Sequence, residues 1–373
     1  MRRAIIHIGM PRTGSTSFQT LLATLRPRLA GIGLLYPELA LPGAHAGADV
    51  NHQPLGEALD GRRPRAERAP SLERLSDALR ATDADTVILS YEDFAVQKPR
   101  FRVPATLREV FARRGFAMET AMVVKPPFEQ LNSAYAHRAQ LVVEPRDFRA
   151  FGRAHWHSGR FDYAGLIAPW RTACGGRVTA IPLRDARSPA PLMERIFRDL
   201  RLWERVSPLL GEPDVTFVTN RSPGPLAVEA SRRLRAMRVH RQVGSHSRAI
   251  GHVLDGAAWS RGLDPEPIRG DAPEVKERME NHFARTSDAF ARDLWGTAWS
   301  RVVEDAPAKP PNELAARPIS RDEEERVDLL MRETVRHFGF RALPAWKRAP
   351  AYLAERGVAA VERIVGDSRW RVR

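Results

Sequence analysis

The sequence predicts an α/β protein in which helices flank a parallel β-sheet. Four apolar runs typical of buried parallel strands lie at residues 4–8, 86–90, 119–124 and 177–183. Segments with helical periodicity lie between these runs. Because parallel strands need crossover connections, the alternation favours right-handed β-α-β units with helices on both faces of the sheet.

The opening strand leads through a glycine-containing loop into a helix. The strand reads AIIHI, and Gly9, Pro11 and Gly14 then mark a loop. From Ser15 onward, apolar residues recur at the spacing of one helix face: Phe18, Leu21, Leu22 and Leu25. Pro27 lies near the expected end of this helix.

The rest of the chain divides into a sheet region and a helical region. Residues 37–70 are rich in Pro, Gly, His and Asp and are expected to be irregular. Further helices are predicted at 72–79, 107–114, 128–141, 163–173, 191–200, 226–243, 274–294, 322–338 and 349–365. No strand is expected after about residue 222, and 305–318 is predicted to be a linker. We therefore expect an α/β domain over 1–304, followed by a linker and helical C-terminal extension over 305–373.

Composition indicates a globular chain. Of the 373 residues, 43% are hydrophobic and 28% are charged, which allows a sizeable core. No apolar run approaches the roughly 20 residues that span a bilayer, and the N-terminus lacks the pattern of a secretory signal. The single cysteine, Cys174, excludes an intrachain disulfide and fits a cytoplasmic location.

The net charge of +14 is carried mainly by arginine, since only five of the 59 basic residues are lysine. Arginine enrichment on this scale also follows from a GC-rich genome. The basic residues are dispersed rather than grouped in a block, so we expect no nucleic-acid partner.

The loop before the first helix has the chemistry of a phosphate cradle. Backbone amides at a helix N-terminus lie at the positive end of the helix dipole, and Gly14 allows close approach of an oxyanion. Arg12 supplies a cation, and the expected ligand-binding residues of this loop are Pro11, Arg12, Thr13, Gly14, Ser15, Thr16 and Ser17. The nucleoside-triphosphatase loop has the same glycine spacing but needs a lysine where Ser15 stands, which argues against ATP or GTP hydrolysis.

Residues 6–22, IHIGMPRTGSTSFQTLL, resemble the phosphosulfate loop of bacterial sulfotransferases, whose members tend to read H-I-G-x-x-K-T-G-T-T-S-I-Q. Arg12 replaces the usual lysine and Ser15 a threonine. Further segments are similar to family motifs: residues 33–37 (G-x-x-Y-P), 51–55 (N-H-H-x-L), 87–92 (a strand ending S-x-E), 161–170 and 220–223 (N-x-S-P). The resemblance implies a P-loop-type fold and 3′-phosphoadenosine-5′-phosphosulfate as donor. It covers residues 4 to about 222 and, more faintly, residues 283–296, and it leaves the last ~75 residues uncovered.

The resemblance also implies a second anion site for the 3′-phosphate of that donor. In the family, a strand-end arginine and a serine eight residues later form it. Lys125 and Ser133 stand at these positions here, and Arg221 is a further candidate.

The implied reaction moves a sulfuryl group to a hydroxyl or amine of a small-molecule or carbohydrate acceptor. Arg12 and the loop amides would stabilise charge on the leaving phosphate. His52 is the first candidate for the general base, because an ordinary histidine titrates near neutral pH, and Glu92 at a strand end is the second. No metal site is expected.

Two other function classes stay open at this stage. One is a kinase-like or hydrolase-like P-loop protein, and the other is a nucleotide-binding relative without turnover. Residues 341–373 carry eight basic and three acidic side chains, which indicates either a helix packed on the domain or a peripheral membrane contact.

Overall fold

The computed structural model describes residues 2–39, 50–211, 222–239 and 247–338, together with 214 and 216. The chain forms two compact units. The first comprises Met1–Pro126, Asp162–Asn220 and Phe283–Ala306, and the second Pro127–Phe161, Arg221–His282 and Pro307–Arg373. Each of the two units is made of several separate chain segments. The expected domain boundary at 304/305 therefore stays a prediction.

The first unit is built on a sheet of five parallel strands. They are β1 (Arg2–His7), β2 (Leu34–Leu35), β3 (Thr86–Ser90), β4 (Phe116–Val124) and β5 (Val178–Pro182), in the order β2-β3-β1-β4-β5. The strand that leads into the glycine loop is therefore central. The expected class, a parallel sheet flanked by helices, is confirmed.

Thirteen helices are described besides short 3₁₀ turns: α1 (Ser15–Ala30), α2 (Gln53–Leu59), α3 (Arg68–Arg80), α4 (Val103–Arg113), α5 (Pro127–Gln140), α6 (Phe148–His155), α7 (Tyr163–Ala173), α8 (Leu192–Asp199), α9 (Trp203–Val206), α10 (Pro225–Ala236), α11 (Ser247–Ser260), α12 (Pro273–Trp295) and α13 (Arg321–His337). Within the described ranges, none is both apolar and long enough to cross a bilayer.

Alternate residues of the strands pack against opposite layers of helices. Ile5, Ile88 and Val123 lie in a buried cluster with α1, α8 and α9. Ala4 and Ile6 lie in the other cluster, with α2, α3, α4 and α7. The period-2 alternation of strand side chains thus places helices on both faces, as the apolar runs predicted.

The second unit, within the residues described, is helical. Side chains of α10, α11 and α13 form its buried cluster, which Leu314 and Val142 join. The start of α13 is fixed by a capping box in which Ser320 and Glu323 bond each other's backbone N–H groups.

The structure corrects part of the expected irregular stretch at 37–70, of which residues 40–49 lie outside the described ranges. Within 37–70, α2 forms because Pro54 suits the first turn of a helix, and α3 begins at Arg68 rather than at 72. Glu313, within the expected linker, is buried and accepts hydrogen bonds from the Phe148 N–H and the Tyr135 hydroxyl. The helix predicted at 349–365 lies outside the described residues.

Candidate functional site

The loop between β1 and α1 has an unusual backbone. Gly9, Arg12 and Gly14 have φ angles of 38°, 64° and 84°, all in the left-handed region. Gly14 is the N-cap residue of α1, and no side chain caps this helix end. The backbone angle therefore requires glycine here, and an ideal Cβ on Gly14, 2.5 Å from Cδ2 of Leu192, would also force that side chain to move.

Two hydroxyls of the loop bond to the loop itself. Thr13 Oγ1 and Ser15 Oγ donate to the Met10 carbonyl oxygen at 2.6 and 3.2 Å. These hydroxyls therefore brace the loop from inside. In the described part of the chain, the backbone amides of Thr13, Gly14 and Ser15 have no hydrogen-bond acceptor. The donors left for an anion are main-chain N–H groups at the positive end of α1.

Lys125 follows the last residue of β4, the strand beside β1, and its side chain is buried. Its Nζ donates a 2.9 Å hydrogen bond to the backbone carbonyl oxygen of Arg12. The backbone oxygen of Lys125 in turn accepts from the buried Tyr163 hydroxyl at 2.7 Å. Lys125 thus brings a positive charge from the neighbouring strand into direct contact with the loop. The loop itself has Ser15 where a nucleoside-triphosphatase loop has its lysine.

Glu92 also lies next to the loop. It follows β3, and its Oε1 accepts from the Thr16 hydroxyl in the first turn of α1 at 3.5 Å. Carboxyl ends of parallel strands lie at one edge of a sheet, so Gly9, Glu92 and Lys125 share that edge. This edge brings together three of the features predicted from sequence.

His52 has a different environment from that of a base open to substrate. Its ring is buried, its Nδ1 accepts from the Ser90 N–H at 2.9 Å, and its Nε2 faces the Pro37 carbonyl oxygen at 3.0 Å. Both nitrogens are therefore used by the backbone, and Nε2 carries the proton. Burial lowers the pKa of His52 to about 4. This geometry favours a structural role and gives the expected base role no support.

Four polar side chains form a hydrogen-bonded chain that sequence reasoning missed, and three of them, His7, Gln19 and Ser90, are buried. Ser90 Oγ lies 2.7 Å from His7 Nδ1 and accepts from Gln19 Nε2 at 3.1 Å. Gln19 Oε1 accepts from Asn51 Nδ2 at 3.3 Å. These four side chains lie in separate segments of the sequence resemblance described above, but nothing in a linear motif shows that they meet.

The chain fixes the tautomer of His7. Gln19 Nε2 can only donate, so the Ser90 hydroxyl keeps its proton for His7 Nδ1, and the ring proton of His7 is on Nε2. Burial lowers the pKa of His7 to about 4, which keeps the ring neutral. Within the described residues, this Nε2–H has no acceptor, and an ideal Cβ on Gly9 would lie 3.4 Å from it.

The described residues do not test the expected second anion site. Lys125 belongs to the first unit and Ser133 to the second, and Arg221 lies outside the described residues. The second site stays a prediction. In the described ranges, no three His, Cys, Asp or Glu side chains form a group suited to a metal ion.

The arrangement has the parts of an anion-binding and proton-transfer site. The main-chain N–H groups of the loop, the Lys125 ammonium that bonds the loop backbone and the Glu92 carboxylate share one edge of the sheet. Comparison with known proteins finds no matching family model, curated protein or solved structure.

Proposed function

We propose that the protein is a sulfotransferase that takes its sulfuryl group from 3′-phosphoadenosine-5′-phosphosulfate. The observation that carries the proposal is the loop of residues 9–17, whose amides at Thr13, Gly14 and Ser15 are open while its hydroxyls brace it internally. Such amides suit the 5′-phosphosulfate end of the donor. The acceptor would be a hydroxyl or an amine, and a carbohydrate is one candidate.

Two residues would do the chemistry beside this loop. Glu92 would take the proton of the acceptor while the acceptor atom forms its bond to sulfur, and the bond from sulfur to the bridging oxygen breaks. Arg12 and the loop amides would stabilise the charge that builds on that leaving oxygen. We assign the base role to Glu92 rather than His52, because Glu92 lies at the loop and both nitrogens of His52 are occupied.

The structure suggests a different role for Lys125 from the one that the sequence resemblance implies. The sequence resemblance gives it the 3′-phosphate, but its Nζ bonds the Arg12 carbonyl oxygen. We infer that it stabilises the left-handed backbone at Arg12 and adds positive charge behind the loop.

The test is selective nucleotide binding followed by transfer. 3′-Phosphoadenosine-5′-phosphate should bind at least tenfold more tightly than ATP in calorimetry, and labelled sulfate should move from the donor to an acceptor pool. Tighter binding of ATP, with release of phosphate, would instead support a kinase-like or hydrolase-like protein. Nucleotide binding without any transfer would support a non-catalytic relative.

A further inference from the structure

A second site with strong positive charge lies in the first unit, apart from the glycine loop. A cavity of about 570 Å³ is formed by the residues around the end of α2, the start of α3 and the start of α4. Five arginines and one carboxylate residue line it: Arg63, Arg65, Arg68, Arg100, Arg102 and Glu109. No residue of the loop 9–17 is part of this lining.

Most of this charge is not neutralised by the protein. Arg63 pairs with Glu57 at 3.2 Å and Glu67 at 3.0 Å. Arg68 donates to the Leu59 carbonyl oxygen at 2.6 Å and to the Thr106 hydroxyl at 3.3 Å, so its partners carry no charge.

Three of the arginines that line the cavity form no ion pair with a described carboxylate. Across the described ranges, Arg65, Arg100 and Arg102 have no carboxylate within ion-pair distance. All three are exposed, and Arg100 lies over the ring of Phe101 with its guanidinium carbon 4.8 Å from the centroid. Like charges grouped in one concave site raise the local positive potential, which an anion would relieve.

The backbone adds to the same potential. Arg102 is the N-cap residue of α4, and Ala105 and Thr106 in its first turn also line the cavity. No side chain caps this helix end. The positive end of the α4 dipole therefore lies at the wall of the cavity, together with the guanidinium groups.

We propose that this cavity binds a small molecule carrying two or more oxyanion groups: phosphate, sulfate or carboxylate. Guanidinium groups bind all three through paired N–H donors. Small-molecule sites enclose roughly 300–1,000 Å³, so the cavity has room for a ligand larger than a single ion. The proposal does not depend on what the glycine loop binds.

The experiment compares two pairs of substitutions that remove the same charge. Arg65→Gln with Arg100→Gln removes two lining arginines that make no structural hydrogen bond with a described side chain. Arg108→Gln with Arg113→Gln removes two exposed arginines of α4 that do not line the cavity. Pyrophosphate, citrate and sucrose octasulfate are titrated into each protein by calorimetry, which covers the three oxyanion types.

We expect at least one probe to bind, and the cavity pair to weaken that binding by about tenfold or more while the control pair leaves it unchanged. Equal losses in both pairs would show only general electrostatics, and no loss, or no binding of any probe, would also overturn the proposal. The same probes are also titrated into Arg12→Ala. If only that variant loses binding, the probe binds at the glycine loop and the proposal for the cavity is wrong. Failure of 3′-phosphoadenosine-5′-phosphate to bind would contradict the proposed function but leave this site intact.

Discussion

Lys125 Nζ donates a 2.9 Å hydrogen bond to the backbone carbonyl oxygen of Arg12, and this contact joins β4 to the loop that follows β1. Arg12 has a φ angle of 64°, a conformation that non-glycine residues rarely adopt. The side chain of Lys125 is buried, so its bond to Arg12 is not screened by bulk water. Lys125, to which the sequence resemblance assigns the 3′-phosphate, therefore holds the loop backbone in this structure.

This contact makes Lys125→Met a discriminating substitution. If Lys125 holds the loop, the variant should bind adenosine-5′-phosphosulfate and 3′-phosphoadenosine-5′-phosphate equally less well, each by about tenfold, because a charge-assisted hydrogen bond contributes roughly 1.5–3 kcal/mol. Calorimetry with both nucleotides measures this. A loss limited to the nucleotide with the 3′-phosphate would mean that Lys125 binds that phosphate, as the sequence resemblance implies.

Gly14→Ala should strongly destabilise the first unit. The φ angle of 84° alone costs about 1–2 kcal/mol for a residue with a Cβ, and the approach of that Cβ to Leu192 adds roughly 1–3 kcal/mol of overpacking. Urea denaturation measures both effects. Gly115→Ala is the matched control, because Gly115 has a φ of 74° and nothing within 4 Å of its ideal Cβ. Equal losses of stability in the two variants would contradict the packing argument.

Much of the sheet unit could be predicted because its apolar runs are short and clearly bounded. The strand at 86–90 and the helix at 163–173 have the predicted limits, and β1 differs by one or two residues. The missed helices are short or atypical in composition. α2 contains Pro54 and Gly56, which sequence reasoning takes for a loop, and Gly56 is required because its ideal Cβ would lie 2.2 Å from Cδ1 of Tyr91.

The site was predicted only as far as single motifs allow. The loop, Glu92 and Lys125 follow from strand ends that share one edge of the sheet. The burial of His52 could not be predicted, since the Pro37 carbonyl and Ser90 amide that engage its ring come from other segments of the chain. For the same reason the link between His7 and Ser90 is a property of the fold and not of either motif.

The two buried histidines predict how stability depends on pH. Burial lowers the pKa of both His7 and His52 from 6.5 to about 4. As the pH falls through 6.5, the unfolded chain binds protons that the folded chain does not, so the free energy of unfolding decreases down to about pH 4. Between pH 6.5 and about pH 4, each histidine should lower the free energy of unfolding by on the order of 1 kcal/mol per pH unit. Above pH 6.5 it should have no effect.

The double variant His7→Gln with His52→Gln checks this assignment. Glutamine keeps one donor and one acceptor but does not titrate, so urea denaturation at pH 4.5, 5.5, 6.5 and 7.5 should give a flatter curve than the original protein. Carboxylates contribute equally to both proteins and cancel in the comparison. Parallel curves would show that neither histidine is neutral and buried as described.

His52→Gln and Glu92→Gln separate the two candidates for the general base. Glu92→Gln should reduce transfer of labelled sulfate by roughly 100-fold or more, in line with the loss of a positioned base, and should leave nucleotide affinity nearly unchanged. His52→Gln should keep most of the transfer rate, since its side chain bonds only the backbone. The opposite pattern, in which only His52→Gln loses turnover at unchanged folding stability, would return the base role to His52.

Arg12→Ala tests whether the loop arginine acts in the transition state. Charge on the leaving oxygen develops only as the bond to sulfur breaks, so loss of Arg12 should lower kcat by roughly 100-fold and change donor affinity far less. Arg28→Ala is the control, because Arg28 is exposed in the last turn of α1 and carries the same charge. Arg12→Lys should restore part of the rate, because a lysine keeps the charge but not the planar fork of donors. Equal losses in kcat and affinity for Arg12→Ala would mean that the arginine binds the ground state and contributes nothing specific to the reaction.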